Sequence, residues 1–113
     1  MTSPSDLTGG AWKLQSIQSS GSTTTIAKPD NFTITFSADL KLGIKADCNV
    51  CGGTYSLAGG SLQISGVFCT LAYCGDTSND RAFMDVLNNA TSIGVGGSEL
   101  TIGSTKGVAR FTR

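Results

Sequence analysis

Phe32-Thr-Ile-Thr-Phe36 and Leu40-Lys-Leu-Gly-Ile-Lys-Ala46 decide how this chain is read. In the first stretch Phe32, Ile34 and Phe36 alternate with threonine. In the second, Leu40, Leu42, Ile44 and Ala46 alternate with Lys41, Gly43 and Lys45. A period of two sends every apolar side chain to one face and every polar one to the other. That is the pattern of an antiparallel strand with one buried and one wet face. Ser37-Ala-Asp39 between them is short enough to make the two strands a hairpin.

The same rhythm extends in both directions. Upstream, Ala11–Ile17 reads as a strand with Trp12 and Leu14 on one face, Ser19–Thr25 as a Ser/Thr/Gly loop, and Lys28-Pro-Asp-Asn31 as a turn. Downstream, Gly53–Leu57 and Ser61–Ser65 flank Ala58-Gly-Gly60 as a second hairpin, and Val67–Leu71 reads as a further short strand. The period then changes. Phe83, Leu87 and Ala90, with Met84 beside them, form a helical stripe, so residues 78–89 are expected to be a short helix. Ser78 suits its N-cap and Asp80 its first turn. Ser92–Val95, Leu100–Ile102 and Val108–Thr112 return to strand character. The count is about eight strands and one helix, an all-β-dominated chain. So many strands in 113 residues need closure to hide their edges, and the expected architecture is an antiparallel β-barrel. Trp12, Phe32, Phe36, Phe68, Phe83 and Phe111 are available to fill its interior.

Composition narrows the function. Eight Lys and Arg balance eight Asp and Glu, and only 14% of residues are charged. No electrostatic drive toward nucleic acid or anionic lipid follows from that balance. The 39% hydrophobic content supports a packed core rather than a disordered chain. There is no histidine, hence no Ser-His or Cys-His catalytic pair and no His-ligated metal. No apolar run approaches the roughly 20 residues of a membrane-spanning helix. Residues 1–6 are polar and read as a disordered N-terminal segment, with residues 7–113 as one domain. The start lacks a basic stretch followed by an apolar one, so no signal peptide is expected in this numbering. That leaves a cytosolic start or a targeting segment already removed.

Cys48-Asn-Val-Cys51 and Cys69-Thr-Leu-Ala-Tyr-Cys74 are the one constellation with chemical content. Three readings compete. Four thiolates could hold a structural zinc, with Gly52 and Gly75 as knuckle glycines, although the second pair is wider than C-x2-C. A C-x-x-C could be a redox dithiol, but turn and strand residues follow it rather than a helix, and no cationic side chain is adjacent in sequence. Two disulfides suit a small β domain in an oxidising compartment, and this reading is favoured. If the two segments run antiparallel, Cys48 faces Cys74 and Cys51 faces Cys69. By the loop-entropy model the outer bridge contributes about 3–4 kcal/mol. These thiols also favour the removed targeting segment over the cytosolic start.

Other polar residues read as structural. Asp76-x-Ser78-x-Asp80 resembles the opening of a calcium loop, but Arg81 and Leu87 stand where that loop needs glycine and glutamate. Helix capping accounts for them better. Asp30, Asp39 and Asp47 fall at turns. No carboxylate pair is placed for acid–base work, and no metal or cofactor is expected.

The order Trp12-Lys-Leu14, Phe32–Phe36, Ala46-Asp-Cys-Asn49, Gly53-Thr-Tyr55, Leu62-Gln-Ile64 and Thr70-Leu-Ala-Tyr-Cys74 resembles the META domain family of small envelope and heat-induced proteins. Asp80-x-x-Phe83-x-x-x-Leu87, Leu100-Thr-Ile102 and Val108–Phe111 continue the resemblance from Leu7 to near the end. It implies a β-barrel-like fold with one packed helix and a Cys48–Cys74 disulfide. It also implies a lipoprotein or secreted protein without established enzymatic activity, associated with envelope stress, drug tolerance or motility. Three departures stand out. Asp47 replaces a common glycine, Cys51 and Cys69 belong to a subset, and a frequent methionine is missing from Leu71–Tyr73.

Three functions are therefore weighed. The first is a non-enzymatic, extracytoplasmic binding or accessory protein of the bacterial cell envelope, monomeric and with another protein as partner. The second is a secreted peptidase inhibitor presenting Thr70, Leu71, Ala72 and Tyr73 between Cys69 and Cys74, since a loop locked in shape loses little entropy on binding. The third is a lipid or small-molecule carrier using the barrel interior.

Overall fold

The computed structural model describes residues 3–113. Its nine strands are β1 (Trp12–Ser19), β2 (Ser22–Thr25), β3 (Phe32–Phe36), β4 (Lys41–Ala46), β5 (Asn49–Ala58), β6 (Ser61–Cys69), β7 (Ala90–Gly96), β8 (Glu99–Ser104) and β9 (Gly107–Thr112). Two helices join them, α1 (Pro4–Leu7) and α2 (Asp80–Asn88). All pairings are antiparallel. Consecutive strands pair from β3 to β9, and β1 pairs with both β3 and β9, which closes an eight-strand barrel. β2 lies outside the cycle, hairpinned onto the distal half of β1 from Ser16 to Ser19.

The alternation that defines β3 and β4 is realised residue by residue. Phe32, Ile34 and Phe36 are buried and oppose Ala46, Ile44 and Leu42. Thr33 and Thr35 share the other face with Lys45 and Gly43. Trp12, Leu14, Tyr55, Leu62, Leu100, Ile102, Ala109 and Phe111 continue the inner face around the barrel. The weakest seam is between β6 and β7. It is carried by Ser61 opposite Ser92 and by the Ile93 amide donating to the Gly60 carbonyl at 3.1 Å. α2 packs against β4, β6, β8 and β9. It inserts Phe83, Val86 and Leu87 into the core, with the Phe83 ring edge-on to Phe32 at 5.9 Å and tilted against Phe111 at 6.0 Å. Phe36 and Tyr55 form another edge-on pair at 5.0 Å. These side chains pack against one another as one core inside the barrel.

Several expectations are corrected. The polar stretch Ser19–Thr25 is a hairpin: Ser20 and Gly21, both with positive φ, turn the chain so that Ser22–Thr25 adds to β1. Its four strand residues are all exposed, so no burial pattern marks it in sequence. Val67–Leu71 is not a separate strand. β6 runs unbroken to Cys69 through an irregularity opposite Gly52–Thr54, where Gly66 has a φ of 63°. Phe68 is not a core residue; it is 73% exposed. Cys69 opposes the buried Cys51 inside the barrel, so alternation turns Phe68 outward. There its ring lies against Gly52, so closely that a Cβ on Gly52 would approach it to 2.8 Å.

The segment over residues 1–6, expected to be disordered, includes the start of α1. Ser3 and Asp6 form a reciprocal capping box around α1. Trp12 Nε1 donates to the Leu7 carbonyl at 3.0 Å, and Arg113 donates to the carbonyls of Leu7 and Thr8. The Arg113 guanidinium sits 4.1 Å from the Trp12 ring centroid, in cation–π range. Met1 and Thr2 lie outside the described residues.

Candidate functional site

β5 and β6 run antiparallel, and their register places Cys51 directly opposite Cys69, with Cα atoms 4.1 Å apart. One residue further on, the Thr70 amide donates to the Val50 carbonyl at 3.0 Å. Cys51 and Cys69 are therefore the close, non-hydrogen-bonded pair of the ladder, where a bridge fits without moving the strands. Cys48, in the β4–β5 turn, is bridged to Cys74 with Cα atoms 5.5 Å apart. All four sulfurs are consumed, and each bridge joins one segment to the other. No thiolates remain for zinc, and no C-x-x-C dithiol is formed.

Between Cys69 and Cys74 the chain leaves the sheet, and one side chain organises it. Asn49 is the buried polar residue among the described residues. Its Oδ1 accepts from the Ala72 amide at 2.7 Å, and its Nδ2 donates to the Ala72 carbonyl at 2.9 Å. The carboxamide thus pairs with Ala72 as the peptide group of a neighbouring strand would. The Thr70 hydroxyl donates to Asn49 Oδ1 at 2.9 Å and accepts from the Val50 amide at 3.0 Å. Asn49 Nδ2 also approaches Cys74 Sγ at 3.3 Å. A buried amide with every group satisfied fixes one conformation of its surroundings.

The side chains carried by this frame point outward. Leu71 is 96% exposed, Tyr73 78% and Val50 63%. The Tyr73 hydroxyl is hydrogen-bonded to the Asp76 carboxylate. That bond, with a smaller contribution from burial, raises the Tyr73 phenol above its usual range. Thr70, Leu71, Ala72 and Tyr73 are therefore one exposed, braced segment.

Beyond Cys74 the chain turns into α2. The turn is tied back by the Ser78 hydroxyl, which donates to Asp47 at 2.7 Å. Ser78 is not the N-cap; Asn79 is, and the Ser78 oxygen instead accepts from the Asp80 amide at 3.2 Å. Asp47 has a φ of 58°, the left-handed region that favours glycine and tolerates aspartate. Asp30 forms an ion pair with Lys13 at 2.7 Å, which holds its carboxyl below the usual range. Among the described residues, no three His, Cys, Asp or Glu side chains converge as metal ligands do. No feature of the loop indicates catalysis.

The sequence reading marked the segment but not its organiser. Asn49 lies two residues before the inward-facing Cys51, so it occupies an inward position of β5. A polar residue at such a position needs buried partners, and that is the signal by which it could have been found.

The chain matches the META domain family model over residues 5–113. No curated protein matches the sequence. Among solved structures it is similar to a protein from Burkholderia xenovorans determined by NMR. That match has 18% identity and a TM-score of 0.75, and it covers 98% of this chain and 88% of that one. A second NMR structure matches at 21% identity and a TM-score of 0.76, covering 99% and 95%. A crystal structure of a DUF4847 family protein from Bacteroides vulgatus matches at 18% identity and 0.69, covering 94% and 93%. At these identities the likeness is one of fold. The family match spans nearly the whole sequence, and with the barrel, the packed helix and the Cys48–Cys74 bridge on view, the chain belongs to the META domain family.

Proposed function

We propose that this protein is a non-enzymatic, extracytoplasmic binding protein of the bacterial cell envelope that engages another protein through residues 69–74. The observation that carries the reading is the braced loop. Two disulfides and the Asn49 carboxamide hold its backbone, while Leu71 and Tyr73 face solvent. Fixing a loop's backbone before binding removes the cost of ordering that backbone in the complex. The paired cysteines support an oxidising compartment. Among the described residues, no helix is long and apolar enough to cross a membrane. The compartment is tested by intact mass after alkylation without prior reduction, on protein recovered from its native host. Unlabelled protein, four hydrogens lighter than the reduced chain, is the expected result. Four alkylated thiols would overturn the reading.

The same loop favours a second, more specific reading, a secreted peptidase inhibitor. A peptidase cleft takes its substrate as an exposed, extended segment, and a rigid version of that segment blocks it. A panel of serine, cysteine and metallopeptidases tests this with micromolar protein. Inhibition of at least one enzyme is expected, and an unaffected panel would sink it.

A further inference from the structure

We infer that residues 69–73 form a substrate-like strand and that Leu71 is the specificity residue that enters the primary pocket of a serine peptidase with an apolar pocket. This deepens the inhibitor reading and rests on it.

The direction of the backbone carries the argument. In an extended chain, alternate residues present their N–H and C=O groups to the same side. Thr70 gives its amide to Val50, and Ala72 gives both amide and carbonyl to Asn49. Residues 70 and 72 therefore face the barrel. Cys69, in a non-hydrogen-bonded pair with Cys51, turns its backbone groups away from β5. β7 does not cover that side, because its register with β6 is confined to Ser61 and Ser92. Leu71 and Tyr73 have no backbone partner among the described residues. Leu71 and Tyr73 thus offer two pairs of unpaired backbone groups in the segment that continues β6 beyond Cys69. A peptidase cleft that binds extended chain by strand addition needs such groups.

The side chains select the residue and the class of enzyme. Tyr73 is held to its own chain through Asp76. Leu71 is 96% exposed, and its neighbours Thr70 and Ala72 are small. It is an unbranched-at-Cβ aliphatic group standing clear of the scaffold, and it fits a hydrophobic slot rather than a pocket with a buried carboxylate. Cys69 and Cys74 anchor both ends, so the strand cannot open away from the cleft. Asn49 acts as a positioning residue through Ala72.

Chymotrypsin and trypsin are the probes, with wild-type protein and Leu71→Lys. The wild type is expected to inhibit chymotrypsin at least a hundredfold more strongly than trypsin. Leu71→Lys is expected to reverse that ratio, because lysine suits the carboxylate-floored pocket. Leu71 touches no core residue, so the variant should keep its melting temperature and both disulfides. Asn49→Ala is expected to raise the inhibition constant at least tenfold and to speed cleavage between Leu71 and Ala72. A folded Leu71→Lys with the wild-type inhibition profile would overturn the assignment. So would wild-type protein that both enzymes cleave at that bond as an ordinary substrate. Inhibition of some peptidase that is insensitive to substitution of Leu71 would retain the inhibitor reading and remove this one.

Discussion

Asn49 replaces a strand with a side chain. Its carboxamide meets both backbone groups of Ala72 and takes the Thr70 hydroxyl as well. Asn49→Ala should therefore loosen the loop more than the barrel. Hydrogen exchange at the Ala72 amide should accelerate at least tenfold, while amides in β3 and β4 keep their protection. Equal acceleration in both places would show that Asn49 serves global stability instead. Tyr55 illustrates burial at the same scale. Its hydroxyl donates to the Ser37 carbonyl at 2.7 Å. Burial pushes the phenol up, and the Asp39 charge adds to that. A raised phenol favours the folded state while it stays neutral. Its contribution is complete below the unfolded value near 10 and is lost as pH rises through the higher folded value. The melting temperature should fall above about pH 10, and Tyr55→Phe should flatten that fall. The variant should also cost about 1 kcal/mol at neutral pH, the worth of one hydrogen bond. An unchanged alkaline slope in thermal melts would contradict this account.

At the scale of elements, α2 compensates for a thin seam in the barrel. β6 and β7 share little ladder, and α2 packs across β6 and β8 with Phe83, Val86 and Leu87 buried. Leu87→Ala should cost about 2–5 kcal/mol through the cavity it leaves, read from the urea midpoint. A loss under about 1 kcal/mol would mean that the helix is a surface appendage. The helical stripe was legible from Phe83 and Leu87. Val86 was not, because the apolar arc of this helix is wider than an i, i+4 count suggests. The i, i+4, i+7 spacing counts Ala90 in the stripe, but Ala90 begins β7. β3 and β4 were readable to within a residue, since strict alternation over five and six residues leaves one solution. β2 was not readable. Its Ser and Thr residues are all exposed, so it exists through backbone pairing alone.

For the whole molecule, one bridge cross-links β5 to β6 and the other ties the β4–β5 turn to the loop that leads into α2. Replacing Cys48 and Cys74 together with serine should cost about 3 kcal/mol in equilibrium unfolding by the loop-entropy model. The paired change Cys51→Ser and Cys69→Ser should cost less while the outer bridge remains, because its loop of sequence separation 18 is nested within one of 26. The reverse order would show that the inner bridge acts through packing of the buried Cys51 rather than through chain entropy. A chelator should leave the unfolding curve of the wild type unchanged, since the sulfurs are bonded to one another.

The order of residues by itself determined the closed sheet, the single substantial helix and the segments that carry the cysteines. Alternation, helical spacing and edge protection are local or counting constraints, and they act before any tertiary contact is known. Only the tertiary structure decided that Phe68 faces solvent, that Ser22–Thr25 pairs, and that Asn49 grips Ala72. Each depends on register. A shift of one residue exchanges the two faces of a strand. The register of β5 with β6 is set by the irregularity opposite Gly52–Thr54, which no pattern within either strand announces.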